Sequence, residues 1–401
     1  MKILVVSNLF PPDVVGGYEI LCAQVAEGLA ASGHDVTVLT SRGDRADVEY
    51  SESGALRVIR ELKLTTPFGE VAQRSRLRRN RVGRWNAAVA VSRVREMQPD
   101  VVFVWSQLRL TVAVARACEE LGVPVCYTMN DPHLAGFRAR DFEFTMRSAA
   151  GAFLDRIVVP HDTADALNLD HVTCISHTVA DSLVSEGVTL NASHVIHQGI
   201  PIERFPIKKD PGRIHDPVRL LYAGQVHDYK GPQYVLDALE LLRRERSGVE
   251  VALTIAGEGP LRRELERRVR ERDLPVRFMG AIGHDEMPTL YRAHDLFAFP
   301  STWKEPFGLT HLEAMASGTP VISTVTGGQG EFLRDGVNAL TVPPADAHAL
   351  AVAIQRLIDD EELRRRLALE GRRTVESDFT LTRYVDQLDS WLQDARRGTM
   401  H

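Results

Sequence analysis

The chain has 401 residues, 44% hydrophobic and 25% charged, with a formal net charge of -6. That length suits two domains of ordinary globular composition, and the acidic balance gives no reason to expect nucleic acid as a partner. No stretch approaches the roughly 18 apolar residues of a membrane span, and Cys22, Cys118, Cys126 and Cys174 are too far apart for a metal site, reading as reduced core residues of a cytoplasmic protein.

The opening MKILVVSNLF has an apolar run of about six residues, too short for a signal peptide, and reads as a first buried strand, Ile3–Val6. Further apolar runs follow at Val36–Thr40, Leu56–Ile59, Val101–Val104, Val125–Thr128, Val172–Ile175 and His194–His197. Helical stretches such as Glu19–Ala31, closed by Gly33, and Trp85–Met97 lie between them. Such alternation predicts a parallel α/β sheet. Between Thr65 and Arg84 six arginines (Arg74, Arg76, Arg78, Arg79, Arg81, Arg84) crowd a segment with no apolar face. It fits a loop for an anionic ligand, a patch touching anionic lipid, or a solvated loop.

Around Pro201–Pro217 the pattern breaks into PIERFPIKKDPGRIHDP, a candidate linker. The alternation resumes at Arg219–Ala223, Glu250–Ile255, Val276–Met279, Leu296–Phe299, Pro320–Ser323 and Ala339–Thr341. A last helix, about Thr380–Asp394, puts Tyr384, Val385, Leu388, Trp391 and Leu392 on one face, as for docking on a core. Two such halves place a cleft at the carboxyl ends of their sheets.

The segment FPSTWKEPFGLTHLEAMASGTPVI carries the most chemistry. Pro306 suits a first helical turn, and the free N–H groups near Gly308 and Leu309 make an anion-binding end that a glycine lets a phosphate approach. Glu305 and Glu313 would repel a diphosphate, so they either accept hydrogen bonds from sugar hydroxyls or are solvated surface glutamates. Lys230, one of only six lysines against 42 arginines, follows the strand end at Gly224 and precedes Gly231. That lysine-poor bias is one that GC-rich bacterial genomes impose.

The E-x7-E spacing of Glu305 and Glu313 in EPFGLTHLE resembles the signature of retaining glycosyltransferases of family 4. LLYAGQVHDYKGPQYVLDAL, LTIAGEGP, HDEMPTLYRAHDLFAFPS and GGQGEFLRDGVNALTVPP follow in the family's order, so the resemblance covers nearly the whole chain. It implies an α/β GT-B fold, two Rossmann-like domains facing across a cleft. Residues 1–200 would bind the acceptor, 201–217 link, 218–375 bind the nucleotide sugar, and 376–401 cross back to the first domain. It further implies retaining, metal-independent transfer from a nucleotide diphosphate sugar, with no cofactor.

Carried over residue by residue, Glu313 would hold the ribose and Glu305 the donor sugar. Lys230 would neutralise the leaving diphosphate beside Gly224, Phe307, Gly308 and Leu309. Gln225 stands where the family usually has an arginine, so a second cation is missing. Gly327, Gly328 and Glu331 match a Gly-Gly-x-x-Glu turn that either approaches the donor or is a tight turn alone. In the first half, Gly16-Gly17 fits proximity to the donor phosphates or a turn alone, without the G-x-G-x-x-G of a dinucleotide site. After Val125–Thr128, Asn130 replaces the histidine of the family's His-Asp pair and Asp131 is kept; His133 could reach the cleft or be a loop histidine.

The segment His133–Leu169 would help shape the acceptor pocket, and HVTCISHTVAD matches the family's strand and serine turn. Lipid-linked, sugar and small natural-product acceptors all stay open, as do UDP, GDP, dTDP and ADP sugars as donors and peripheral membrane contact. The competing reading is a nucleotide-sugar binder or regulatory subunit with little turnover, motivated by Gln225 and Asn130.

Overall fold

The computed structural model describes residues 1–42, 50–53, 56–66, 76–137, 164–191, 193–245 and 250–398. They form two compact units: Met1–His197 with Tyr384–His401, and Gln198–Arg383.

In the first unit the apolar runs become strands β1 (Lys2–Val6), β2 (Asp35–Ser41), β4 (Leu56–Leu62), β5 (Val101–Val104), β6 (Val125–Met129), β7 (Val172–Cys174) and β8 (Ser193–Val195). β3 (Tyr50–Ser53) is an added antiparallel edge. The sheet order is β3-β4-β2-β1-β5-β6-β7-β8, so the winding reverses between β1 and β5. Being covered on both faces, the central strands are continuous apolar runs, with Ile3–Val6 and Val101–Phe103 essentially inaccessible.

Helix α1 (Gly17–Ala31) follows β1, and α2 runs Arg76–Met97. The arginines from Arg76 to Arg84 therefore begin a helix instead of lying in a loop; Arg74 is outside the described residues. Among the described residues α3 (Ala113–Glu119) and α4 (His177–Ser185) follow.

Among the described residues the second unit has six parallel strands: β9 (Val218–Ala223), β10 (Val251–Ala256), β11 (Val276–Gly280), β12 (Leu296–Phe299), β13 (Val321–Thr324) and β14 (Leu340–Val342). Their order, β11-β10-β9-β12-β13-β14, is that of a doubly wound sheet whose switch point lies between β9 and β12. Its helices are α5 (Pro232–Glu245), α6 (Arg262–Arg272), α7 (Met287–Ala293), α8 (Leu309–Ala316), α9 (Ala347–Asp359) and α10 (Glu361–Asp378).

The expected linker, 201–217, packs inside this unit. Phe205 is fully buried, Lys208 Nζ donates to the His294 carbonyl, and the buried Arg364 donates to Gly212 O at 2.8 Å. Its prolines and charges looked like a free connection because these partners are distant in sequence.

Helix α11 (Leu381–Arg397) returns to the first unit with the expected face buried: Tyr384, Val385, Leu388, Trp391 and Leu392. Trp391 meets Phe103 edge-on at 6.4 Å, and Asp389 accepts from His34 at 2.7 Å. Val385 packs so closely on α1 that a Cβ at Gly28 would lie 2.8 Å from one of its methyls. Where the chain passes between the units, two segments run side by side: Ile200 N donates to Phe379 O at 2.9 Å and Leu381 N to Ile200 O at 2.8 Å. Among the described residues no helix is long and apolar enough to cross a membrane.

Candidate active site

At a switch point the loops after two neighbouring strands leave in opposite directions and open a crevice. In the second unit these are the loops after β9 and β12. The first runs Gly224–Gly231 and ends in a 3-10 turn, Asp228–Lys230. Gly231 has φ +80°, and a Cβ there would collide with the Pro300 carbonyl, so only glycine lets the loops touch. The Tyr229 carbonyl then binds both, accepting from Thr302 N at 2.9 Å, Ser301 Oγ at 3.0 Å and Trp303 N at 3.2 Å.

This joint sets Lys230 beside Glu305. Lys230 Nζ donates to Glu305 Oε1 at 2.8 Å and Oε2 at 2.7 Å, and Ser301 Oγ donates to Oε1 at 2.6 Å. The side chains are only 12% and 8% exposed. A pair so dehydrated is costly unless its hydrogen bonds are complete, which Ser301 helps achieve. The ammonium lies 4.3 Å from the centre of the Trp303 ring and 5.5 Å from that of Tyr229. The Tyr229 hydroxyl donates to Gln225 Oε1 at 3.2 Å, so the Gln225 amide N–H groups are the part left for a ligand.

α8 begins at Gly308, whose φ of +121° requires glycine; a Cβ would sit 2.8 Å from His311 Nδ1. From His311 to Ala316 the helix is buried all round. His311 Nε2 pairs with Ser323 Oγ at 2.8 Å, and burial, with a smaller contribution from Lys230, lowers its pKa to about 4, so the ring is neutral. Glu313 lies on the same buried helix. The Tyr291 hydroxyl donates to its Oε2 at 2.9 Å, and His284 Nδ1 is 3.9 Å from its Oε1. Burial raises the Glu313 pKa to about 7, only partly opposed by the Tyr291 bond and distant Arg204. His284 is itself held below its usual pKa, first by burial and then by Arg204, so it supplies no compensating charge.

Gly327 and Gly328 pack on the Glu305–Pro306 backbone, and Gly328 N donates to Glu305 O at 2.7 Å. A Cβ at either would strike that backbone, so this turn has a structural reason for its glycines. Phe307 is buried in ring contact with Phe332 and Phe379, anchoring the loop before α8.

In the first unit Gly16 caps α1 in extended conformation, and Glu19 Oε2 accepts from Gly16 N at 3.0 Å and Val15 N at 3.2 Å. A Cβ at Gly16 or Gly17 would meet nothing within 4 Å. Neither backbone nor packing in this unit demands glycine there. Asn130 is buried at the end of β6 and donates to Trp105 O and Thr128 O, both at 3.3 Å. Asp131 is engaged by His133, which donates its backbone N–H at 2.8 Å and pairs through its ring. Burial pushes the Asp131 pKa up, but the His133 ring and its hydrogen bonds prevail and hold it below the usual value. His133 thus sits in the turn Pro132–Phe137 as the partner of Asp131; most of the segment that follows, to Leu169, lies outside the described residues.

Sequence reasoning missed Ser301, Tyr229, Trp303 and Tyr291. The first three lie in stretches that read as polar turns, although an aromatic directly before a scarce lysine, as in Tyr229-Lys230 and Trp303-Lys304, is a usable signal. Tyr291 is inward-facing on α7 and has no marker beyond its helix period.

Two doubly wound domains in one chain, with a cation–carboxylate pair and a helix start at the second domain's switch point, are the architecture of the GT-B fold. The family model described as Glycosyltransferase Family 4 matches residues 15–204, and that described as Glycosyl transferases group 1 matches residues 203–374. A glycogen synthase of Mycobacterium tuberculosis is 30% identical over 399 residues, 94% of this chain and 91% of its own. A mannosylfructose-phosphate synthase of Agrobacterium fabrum is 29% identical over 300 residues, 69% of this chain and 65% of its own. Among solved structures, the sucrose-phosphate synthase of Thermosynechococcus elongatus shares the fold, with a TM-score of 0.76 at 23% identity over 99% of both chains. The chain belongs to the group 1 glycosyl transferases of family 4, and is a glycosyltransferase that uses a nucleotide-sugar donor.

Proposed function

We propose that the enzyme transfers a hexosyl group from a nucleoside diphosphate sugar to an acceptor hydroxyl, with retention of anomeric configuration and without a metal ion. The observation that carries this reading is the Lys230–Glu305–Ser301 cluster at the switch point, next to the start of α8. The acceptor oxygen forms a bond to C1 on the face from which the diphosphate departs. The bond from C1 to the diphosphate oxygen breaks, and the acceptor's proton passes to that oxygen. Lys230 and the N–H groups at Gly308–Leu309 stabilise the charge that develops there, the work a metal does in other nucleotide-sugar enzymes. Phosphate as proton acceptor leaves no task for a histidine, so Asn130 in that position is compatible with turnover.

Glu313, ionised, accepts hydrogen bonds from the ribose hydroxyls. Glu305 orients the transferred sugar, and the Gln225 amide donates to the diphosphate beside Gly224. In the first unit, Gly16 and Gly17 at the start of α1, and Asn130 and Asp131 just after β6, are proposed as ligand contacts. The glycogen synthase and mannosylfructose-phosphate synthase among the relatives motivate a hexose as the group transferred.

The test begins with thermal denaturation in EDTA with UDP, GDP, dTDP and ADP in turn. A nucleotide at about 100 times its dissociation constant adds roughly 2.7 kcal/mol. One should stand out in the wild type and lose its effect in Glu313→Ala. The matching nucleotide sugar is then followed by proton NMR for slow transfer to water, where the first sugar released should keep the donor's anomeric configuration. Inversion, or activity only with added divalent metal, would refute the corresponding part of the proposal. Gln225 and Asn130 favour a second reading, nucleotide-sugar binding without turnover; binding with neither hydrolysis nor transfer would select it.

A further inference from the structure

Trp303 is an anomaly on its own terms. It is 41% exposed, yet both its backbone polar groups are hydrogen-bonded. Its backbone N–H reaches the Tyr229 carbonyl, and its own carbonyl accepts from Thr326 Oγ1 at 2.6 Å. A large apolar ring carried on a backbone tied at both its N–H and its carbonyl, and left open to water, is a surface kept for something.

The ring does not stand alone. Tyr229 lies 5.5 Å from it, centre to centre, and His227 lies 4.0 Å from Tyr229, so three rings form a row along the β9 and β12 loops. Polar groups flank that row: Lys230 Nζ is 4.3 Å from the Trp303 ring centre, and the Gln225 amide is tied to the Tyr229 hydroxyl. Flat aromatic faces bordered by a few fixed polar groups suit a ligand with an apolar face and a polar rim. A pyranose ring has that character, with C–H bonds on its faces and hydroxyls around its edge.

We infer that Trp303, continued by Tyr229, is the stacking platform for the transferred sugar of the donor, and so a residue that sets which sugar is accepted. The inference rests on the reading of Lys230 as the diphosphate's cation. The sugar is joined to the diphosphate through a single oxygen, so a phosphate held at Lys230 brings its sugar to the ring beside the same ammonium. The alternative task for Trp303 is to hold Lys230 in place by cation–π attraction. The two differ in which ligand notices the loss of the ring, because a nucleoside diphosphate would touch Lys230 but lacks the transferred sugar.

The experiment is isothermal titration of wild type, Trp303→Ala and Trp303→Phe with UDP, GDP, dTDP and ADP, and with UDP-glucose, GDP-mannose, dTDP-glucose and ADP-glucose. For the pair that wild type binds, Trp303→Ala should weaken the nucleotide sugar about tenfold while changing the diphosphate less than twofold. Trp303→Phe should recover most of the loss. Equal weakening of sugar and diphosphate would overturn the platform and leave Trp303 as a support for Lys230; no weakening of either would overturn it outright. Wild type binding none of the eight would sink the donor reading itself, a result separate from any effect of Trp303.

Discussion

Replacing Glu313 with glutamine tests the electrostatics of the site without any substrate. The carboxyl is buried, and among the described residues its one hydroxyl donor, Tyr291, and the charge of Arg204 only partly offset the cost of its ionisation. Its pKa therefore rises from 4.5 to about 7. A raised carboxyl pKa means the folded state favours the protonated form. The stability this group contributes is complete below pH 4.5, declines as pH rises, and is lost above about 7. The shift corresponds to about 3 kcal/mol, an upper figure for a group so buried. Glu313→Gln keeps the neutral shape at every pH, so it should match wild type near pH 4.5 and exceed it by up to about 3 kcal/mol at pH 8. In a unit of this size that is about 6–12 °C in the melting temperature. The assay is thermal unfolding of both proteins, free of nucleotide, across pH 4.5–8. A melting difference that does not grow with pH would refute the reasoning, since a merely structural loss would be pH-independent. The gain should come with weaker nucleotide binding, because the destabilising charge is the one proposed to serve the ribose.

Lys230→Met should lower turnover about 10²–10³-fold through loss of leaving-group stabilisation, and reduce stability to urea by about 3 kcal/mol because Glu305 is left buried and unpaired; unchanged turnover would remove Lys230 from the mechanism. Ser301→Ala removes the 2.6 Å bond to Glu305 and the one to the Tyr229 carbonyl, and should cost about 1–2 kcal/mol in chemical denaturation. Gly231→Ala places a Cβ against the Pro300 carbonyl at φ +80° and should destabilise by at least about 2 kcal/mol; a neutral effect on the melting curve would show that the two loops separate easily. Gln225→Arg should raise turnover or leave it unchanged in a steady-state assay, and complete loss would mean that the Gln225–Tyr229 pair is indispensable.

Most strands were legible because parallel strands, buried on both faces, are unbroken apolar runs such as Ile3–Val6 and Leu296–Phe299. β3, with the polar sequence YSES, is an antiparallel edge and carries no such signal. The first turns of α2 were hidden for a related reason: arginines crowd its start, and no period of apolar residues marks Arg76–Arg81 as helical. The E-x7-E spacing singled out Glu305 and Glu313, but not that one is neutralised by Lys230 and the other stands almost without charge partners. Those facts depend on residues remote in sequence, Lys230 for Glu305 and Tyr291 for Glu313. The linker expectation failed on the same ground, since the partners of Phe205, Lys208 and Gly212 come from later elements.

The return of α11 to the first unit has a consequence for how the protein is made. A ribosome completes strands β1–β8 long before it reaches Tyr384, and until then the surface around Gly28, Phe103 and His34 lacks the helix that covers it. The domain begun first is thus finished last, after the whole of Gln198–Arg383 has been synthesised. Residues 1–197 produced alone would carry that uncovered apolar strip, and adding the Leu381–Arg397 peptide in trans would supply the missing piece.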